Sequence, residues 1–254
     1  PQHAHGLQRT LGSLRRTAWA VRDRLSLDTW RAVISLVDGE GLPRRGPDPD
    51  PGAAQSYLDG LVRRTAALAG LAAENLTRGR NRLFLELGRR IERASNTAWY
   101  LRQVLVQPEV GGEEQALQLL LEIADSGMTY RYRYLGVFQA APVLDLLVLD
   151  ESNPRSVAFQ VEQLKALVGE LPRANRLQSE SGDRRLVARM VARVAAAGAG
   201  GLAHCDASGR RAELAQLLDL VEGSATELSD AIDRAYFRHS ANRRAGFAPR
   251  DGVY

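Results

Sequence analysis

The sequence predicts an all-α chain, a multi-helix bundle of about seven to nine helices. Three observations carry this. Apolar residues recur at steps of three and four through nearly every periodic segment, the spacing of one helix face. Alanine, leucine, arginine and glutamate dominate a chain that is 44% hydrophobic, and these residues favour helix over strand. Only Tyr130–Tyr134 and Val143–Asp150 are ambiguous. The first is too isolated to pair as a strand, and Pro142 ahead of the second favours a short buried helix.

A first helix is expected over Gly6–Leu25, where Leu7, Leu11, Leu14, Ala18, Val21 and Leu25 form a stripe. Ser26 or Asp28 can cap a second over Leu27–Val37, with Trp30, Val33, Ile34 and Val37 inward. Asp38-Gly39-Glu40-Gly41 stops it, and prolines alternating with aspartates make 39–52 an extended linker. A third helix should run from Ala53 to Leu76, with Tyr57, Leu61, Leu68 and Ala69 inward. Arg80–Gln107 is the most strongly periodic stretch, and Pro108–Gly112 is a turn. Glu113–Phe138 reads as one long helix, with Leu117, Leu120, Ala124, Met128, Leu135 and Phe138 on one side and Arg131 among them. Asn153-Pro154 should start a helix over Arg155–Leu171, which Pro172 ends. Asp183 can cap Arg184–Ala197, Gly198–Gly201 should be flexible, and Arg210–Phe237 is the last helix. The helical domain thus covers 1–240, and the polar tail 241–254 should fray.

Within Arg80–Gln107 two stripes coexist. Phe84, Leu87, Ile91, Ala94, Ala98, Leu101 and Leu105 make an ordinary buried face. Leu85, Gly88, Glu92, Ser95 and Trp99 also align, so Glu92 is bracketed by apolar residues and preceded by a glycine one turn earlier. A mid-helix glycine costs about 1 kcal/mol against alanine, which suggests close approach of another element. On this reading Glu92 is buried and needs cations, with Arg89 and Arg93 on its own helix and Arg131 and Arg133 as partners from another. The bland alternative is a surface glutamate paired with an arginine one turn away.

Composition excludes more than it identifies. The balance is 34 basic against 30 acidic residues, net +4, and Lys165 is the only lysine. The arginines are interleaved with acids rather than clustered, so nucleic acid is not expected. A single cysteine, Cys205, excludes an internal disulfide and suits a reducing cytoplasm. No apolar run is long enough to span a membrane. No signal peptide is expected in the polar stretch Pro1–His5, and the chain is expected to be either truncated or processed, or part of a larger protein. There is no phosphate loop, HExxH, CxxC or GxSxG motif, and no cofactor is expected. His204-Cys205-Asp206 carries ligand-type residues, but neighbours in one loop do not close on a metal, and no metal is expected there.

The stretch Leu87-Gly88-Arg89-Arg90-Ile91-Glu92-Arg93-Ala94-Ser95-Asn96-Thr97-Ala98 resembles the signature of the alpha-E domain, an all-helical bacterial family named for its Glu-Arg pair. Further similar stretches are Ala20–Ser26 with Trp30, Tyr130–Arg133, Leu147–Asp150 followed by Asn153–Val157, and Leu228-Ser229 with Tyr236-Phe237. The motif residues marked by the resemblance are Arg22, Asp23, Arg89, Glu92, Arg93, Arg131, Arg133 and Arg155. The family usually carries an earlier copy of the motif helix, which is missing ahead of Gly6. The chain therefore reads as one half of a duplicated architecture, with apolar surface open around Gly6–Val37. The resemblance implies association, fused or separate, with a circularly permuted ATP-grasp protein, and in some settings a transglutaminase-like protein. The role implied is an accessory, scaffold or substrate-binding module of a peptide (amide) ligase system, more a non-catalytic partner than an enzyme. The alternative is a catalytic module acting on a carboxylate- or peptide-like substrate through a Glu/Arg site.

Overall fold

The computed structural model describes residues 6–38, 51–75, 79–107, 112–172 and 182–237. Among them there is no strand, and eleven α-helices are present, more than expected. The chain divides into two compact units, Pro1–Arg82 and Leu83–Tyr254. Residues 39–50 of the expected linker and the tail 241–254 lie outside the described residues.

The first unit contains α1 (Leu7–Ala20), α2 (Leu27–Asp38) and α3 (Pro51–Asn75). Here α2 packs against both α1 and α3, and Leu11, Leu36 and Leu61 form the core. Helix α1 stops earlier than its stripe suggests, because a 3₁₀ turn over Arg22–Arg24 follows. Ser26 starts α2: its hydroxyl accepts from the Thr29 backbone N–H at 3.2 Å, meeting one of the donors a helix start leaves open. Pro51 and Gly52 belong to α3 rather than to the linker, with proline at the first helical position, where its missing N–H costs nothing.

The second unit is built on α4 (Arg80–Leu105) from Leu83 onward. Leu87, Ala94, Ala98, Leu101 and Leu105 are buried, as their periodicity predicts. The segment expected as one long helix is two: α5 (Glu113–Ile123) and α6 (Gly127–Tyr134). Asp125 between them has φ 49°, a left-handed conformation that an α-helix cannot continue through. The break re-aims everything after it. Leu117, Leu120 and Ala124 stay in the core, but Met128 and Leu135 are 85% and 89% exposed. Tyr130 takes the core position instead, packed on Tyr134 and Phe138.

Pro142 lies in the short helix α7 (Ala140–Leu144), which runs directly into a π-helical turn over Asp145–Leu149. Val143, Leu144, Leu146, Leu147 and Val148 are fully buried, so the short helix is buried as expected. Helix α8 (Val157–Gly169) starts later than Asn153-Pro154 suggests. Ser156 is the cap, accepting from the Phe159 N–H at 3.0 Å. Asn153 is instead buried in the preceding loop, donating to the Leu146 carbonyl at 2.9 Å and accepting from the Arg155 N–H at 3.0 Å. Helix α9 (Gly182–Ala195) packs against α8 and α11. Gly198–Gly201, expected to be flexible, leads into and forms most of a short helix, α10 (Ala199–Ala203), anchored by the fully buried Leu202. Helix α11 (Ala212–Ile232) closes the unit and continues as a π-helical turn over Asp233–Phe237, where Tyr236 and Phe237 pack on Phe84 of α4.

Candidate functional site

Adjacent residues on a helix point about 100° apart, so Glu92 and Arg93 cannot share a face. The structure assigns them opposite roles. Glu92 is exposed and accepts only from Asn96 Nδ2 on its own helix, at 3.0 Å. This corrects the expectation of a buried glutamate bonded to an arginine of another helix. The stripe that brackets it faces solvent: Leu85 is 41% and Trp99 56% exposed. Nothing lies within 4 Å of where a Cβ at Gly88 would sit, so that glycine does not mark a close approach.

Arg93, about 100° round the helix from Glu92, is half-buried. One turn before it, Glu86 holds two arginines, accepting from Arg89 Nη1 at 2.8 Å and Arg90 Nη2 at 3.1 Å. Arg90 also reaches α8: Nη1 donates to Gln160 Oε1 at 3.3 Å, and the guanidinium lies over the Phe159 ring, 5.5 Å from its centroid. Gln160 is buried and passes the connection on, donating to the Pro154 carbonyl at 2.6 Å. The next residue, Arg155, donates to Asp125 Oδ2 at 3.1 Å. Arg93 has no carboxylate within ion-pair distance among the described residues. Burial lowers its pKa, and repulsion from Arg90, Arg155 and Arg89 lowers it further, with only Glu86 opposing.

The loop after the π-helical turn gathers the other motif residues. Arg133 of α6 forms an ion pair with Asp150 and donates to Ser152 Oγ at 3.1 Å. Burial works to raise the Asp150 carboxyl, but bonds from Ser152 and from Arg133 outweigh it and hold the group below its ordinary value. Beside them, burial and a 2.6 Å hydrogen bond to Asp145 push the Tyr134 hydroxyl up to about 12. Arg131 is exposed and has no bonded partner among the described residues, so of the two arginines proposed as partners for Glu92 neither contacts it.

Arg22 and Asp23 belong to the first unit. The Arg22 guanidinium lies 5.4 Å from the Trp19 ring centroid and 5.1 Å from that of Trp30, a cation–π arrangement on a surface where Trp19 is 62% exposed. Asp23 is exposed. Of His204-Cys205-Asp206, the aspartate closes a turn by accepting from the Ser208 and Arg210 backbone N–H groups at 2.9 and 3.0 Å. Among the described residues no group of three or more His, Cys, Asp and Glu side chains is placed to hold a metal.

Two separate stretches, Glu86–Arg93 and Tyr130–Arg133, thus both reach the segment Asp150–Gln160, the first at Gln160 and the second at Asp150 and Ser152. A family model for a predicted alpha-helical domain with a conserved ER motif matches residues 1–237. The chain belongs to the Alpha-E family. In this Alpha-E chain the Glu-Arg pair is Glu92-Arg93, the same two residues that the helix turns to different sides. Two relatives are the uncharacterized proteins Rv2567 of Mycobacterium tuberculosis and Mb2597 of Mycobacterium bovis, each 30% identical over 237 residues. The match covers 91% of the Alpha-E chain and 26% of each relative, so the chain spans about a quarter of their length. No solved structure matches it.

Sequence reasoning missed Glu86, Arg90, Gln160 and Asp150. Glu86, Arg89 and Arg90 at i, i+3 and i+4 were a visible signal of local pairing. The role of Gln160 had none, since its partner is 70 positions away.

Proposed function

We propose that this Alpha-E chain is a non-catalytic binding module of an amide-forming ligase system, acting with a circularly permuted ATP-grasp protein and in some settings a transglutaminase-like protein. The observation that supports this best is the solvent face of α4. Glu92 of the family motif stands there between exposed Leu85 and Trp99. An exposed aromatic and an exposed leucine around one charge form the composition of a docking surface. The Trp19–Trp30 pair, with ring centroids 5.6 Å apart, offers a second aromatic anchor in the first unit. The ligase partnership itself rests on the family resemblance. The motif cations near Glu92 on α4, Arg89, Arg90 and Arg93, are arginines, whose planar guanidinium suits the binding of anions. A catalytic Glu–Arg site has less support, because Glu92 accepts from Asn96 and forms no ion pair with an arginine among the described residues. The test is titration calorimetry of the chain with ATP and then with the ATP-grasp protein of the same genome. Binding to the partner, weakened by Trp99→Ala, is expected. Tight ATP binding by the chain alone, with no binding to the partner, overturns the reading.

A further inference from the structure

Two helix faces of the second unit are open to solvent in a way that the fold does not explain. On α6, Met128, Arg131, Tyr132 and Leu135 follow the i, i+3, i+4, i+7 spacing of one helix face, and all four are exposed. Tyr132, at 87%, is as open as Met128 and Leu135. The inward side of α6 is already filled by Tyr130, whose hydroxyl donates to the Val137 carbonyl and accepts from the Gln139 N–H, both at 3.2 Å. Arg131, in the middle of the outward face, has no bonded partner among the described residues. Leu135 ends the helix in the left-handed conformation, φ 44°, where glycine fits without steric cost. An exposed leucine there gives the isolated chain nothing that a glycine would not. The second face is the outward side of α4, where Gly88 and Ser95 flank Glu92 between Leu85 and Trp99. A mid-helix glycine weakens the helix, and nothing in the chain comes near enough to Gly88 to require one.

We propose that α6 of one Alpha-E chain docks on the outward face of α4 in a second copy, with Arg131 paired to Glu92 of that copy. The two faces are complementary in charge and in shape. One holds a cation without an acid, and the other a carboxylate that accepts only from Asn96 of its own helix. At 1.5 Å per residue, Met128 to Leu135 spans about 10 Å and Leu85 to Trp99 about 21 Å, so the shorter face fits between the ends of the longer one. Gly88 and Ser95 leave room for Met128, Tyr132 and Leu135 to approach the α4 backbone, and the Trp99 ring offers a flat surface to a guanidinium. Apolar groups around the Arg131–Glu92 pair exclude water and strengthen the attraction. The Glu92–Arg131 pair that the sequence suggests within one chain is thus formed between two. The same α4 face is offered above to the ATP-grasp partner. The two occupants exclude each other there, and neither reading rests on the other.

The experiment is sedimentation equilibrium of the chain alone, from about 1 μM to about 1 mM. The weight-average mass of the unaltered chain should rise with concentration. Glu92→Arg and Arg131→Glu each place like charges in the contact and should weaken association about tenfold or more. An equimolar mixture of these two variants should associate again, because each now carries the charge that the other lacks. That recovery also shows that both variants are folded. Leu135→Gly should weaken association without lowering the melting temperature, because glycine suits the left-handed position and only the docking side chain is lost. A monomer throughout the concentration range overturns the proposal. So does association that either charge reversal or Leu135→Gly leaves unchanged, or a mixture no more associated than its separate components.

Discussion

Arg211 and Arg93 are both withdrawn from water, but their surroundings are opposite. Arg211 is 3% exposed and fully engaged. Its Nε donates to the Ala203 carbonyl at 3.0 Å, Nη1 to the Leu105 carbonyl at 2.9 Å, Nη2 to Glu113, and its backbone N–H to the Val106 carbonyl at 2.9 Å. The carbonyls it takes are those that the ends of α4 and α10 leave open. One side chain thus ties the end of α4, the start of α5 and the end of α10 to the start of α11. Arg93 has cations as neighbours and no acid of its own. A satisfied buried arginine ties elements of a fold together, whereas one without an acid partner makes no such tie.

Arg211→Ala should therefore have the largest effect, about 3–5 kcal/mol of lost stability in denaturant unfolding, because several buried acceptors lose their partner together. Glu113→Gln should cost much less, since the Glu113 side chain is 41% exposed and water replaces the lost pair. A loss below about 1 kcal/mol for Arg211→Ala would erase the contrast with Arg93.

Ser156→Ala comes next, at about 1–2 kcal/mol, measured the same way. It removes the cap of α8 and the bond that Ser156 Oγ donates to the Asp150 carbonyl, and with them the fixed loop that carries Arg155.

Asp150 gives a pH signature. Its carboxyl in the folded chain lies below the ordinary 3.8, so the stability it contributes is complete above that value and is lost as the pH falls through the folded value. Melting temperature should fall with acid below about pH 4, less steeply in Asp150→Asn. Identical slopes in both proteins would show that the Arg133–Asp150 pair does not contribute.

The smallest effect should come from the family glutamate. Glu92→Gln is expected to change stability by no more than about 0.5 kcal/mol, as for an exposed side chain bonded within its own helix. A drop of about 3 kcal/mol or more would instead restore the buried ion pair that the sequence suggests.

Helices, and which side of most of them is apolar, were legible in the sequence. Leu87, Ala94, Ala98, Leu101 and Leu105 are inward because a spacing near 3.6 residues is a local property. The break at Asp125 was less legible, because Met128 and Leu135 keep the spacing while the backbone between them and Ala124 does not keep the helix. Asp125-Ser126-Gly127 was the available signal, a run of turn-forming residues inside an otherwise helical pattern.

The sequence by itself determined an all-helical Alpha-E chain and marked the motif residues, since periodicity, caps and motif spacing are written in neighbouring positions. It did not determine which motif residue is inside. A second apolar stripe along α4 looked like a buried face, and only the packed unit shows Leu85, Glu92 and Trp99 turned to solvent. Nor did it determine which arginine is satisfied. Arg211 meets the Leu105 carbonyl across 106 positions and Arg90 meets Gln160 across 70, whereas Arg93 meets no acid. Charge balance at a buried site is a sum over groups that only tertiary structure brings together, because Coulomb energy depends on distance in space and not along the chain.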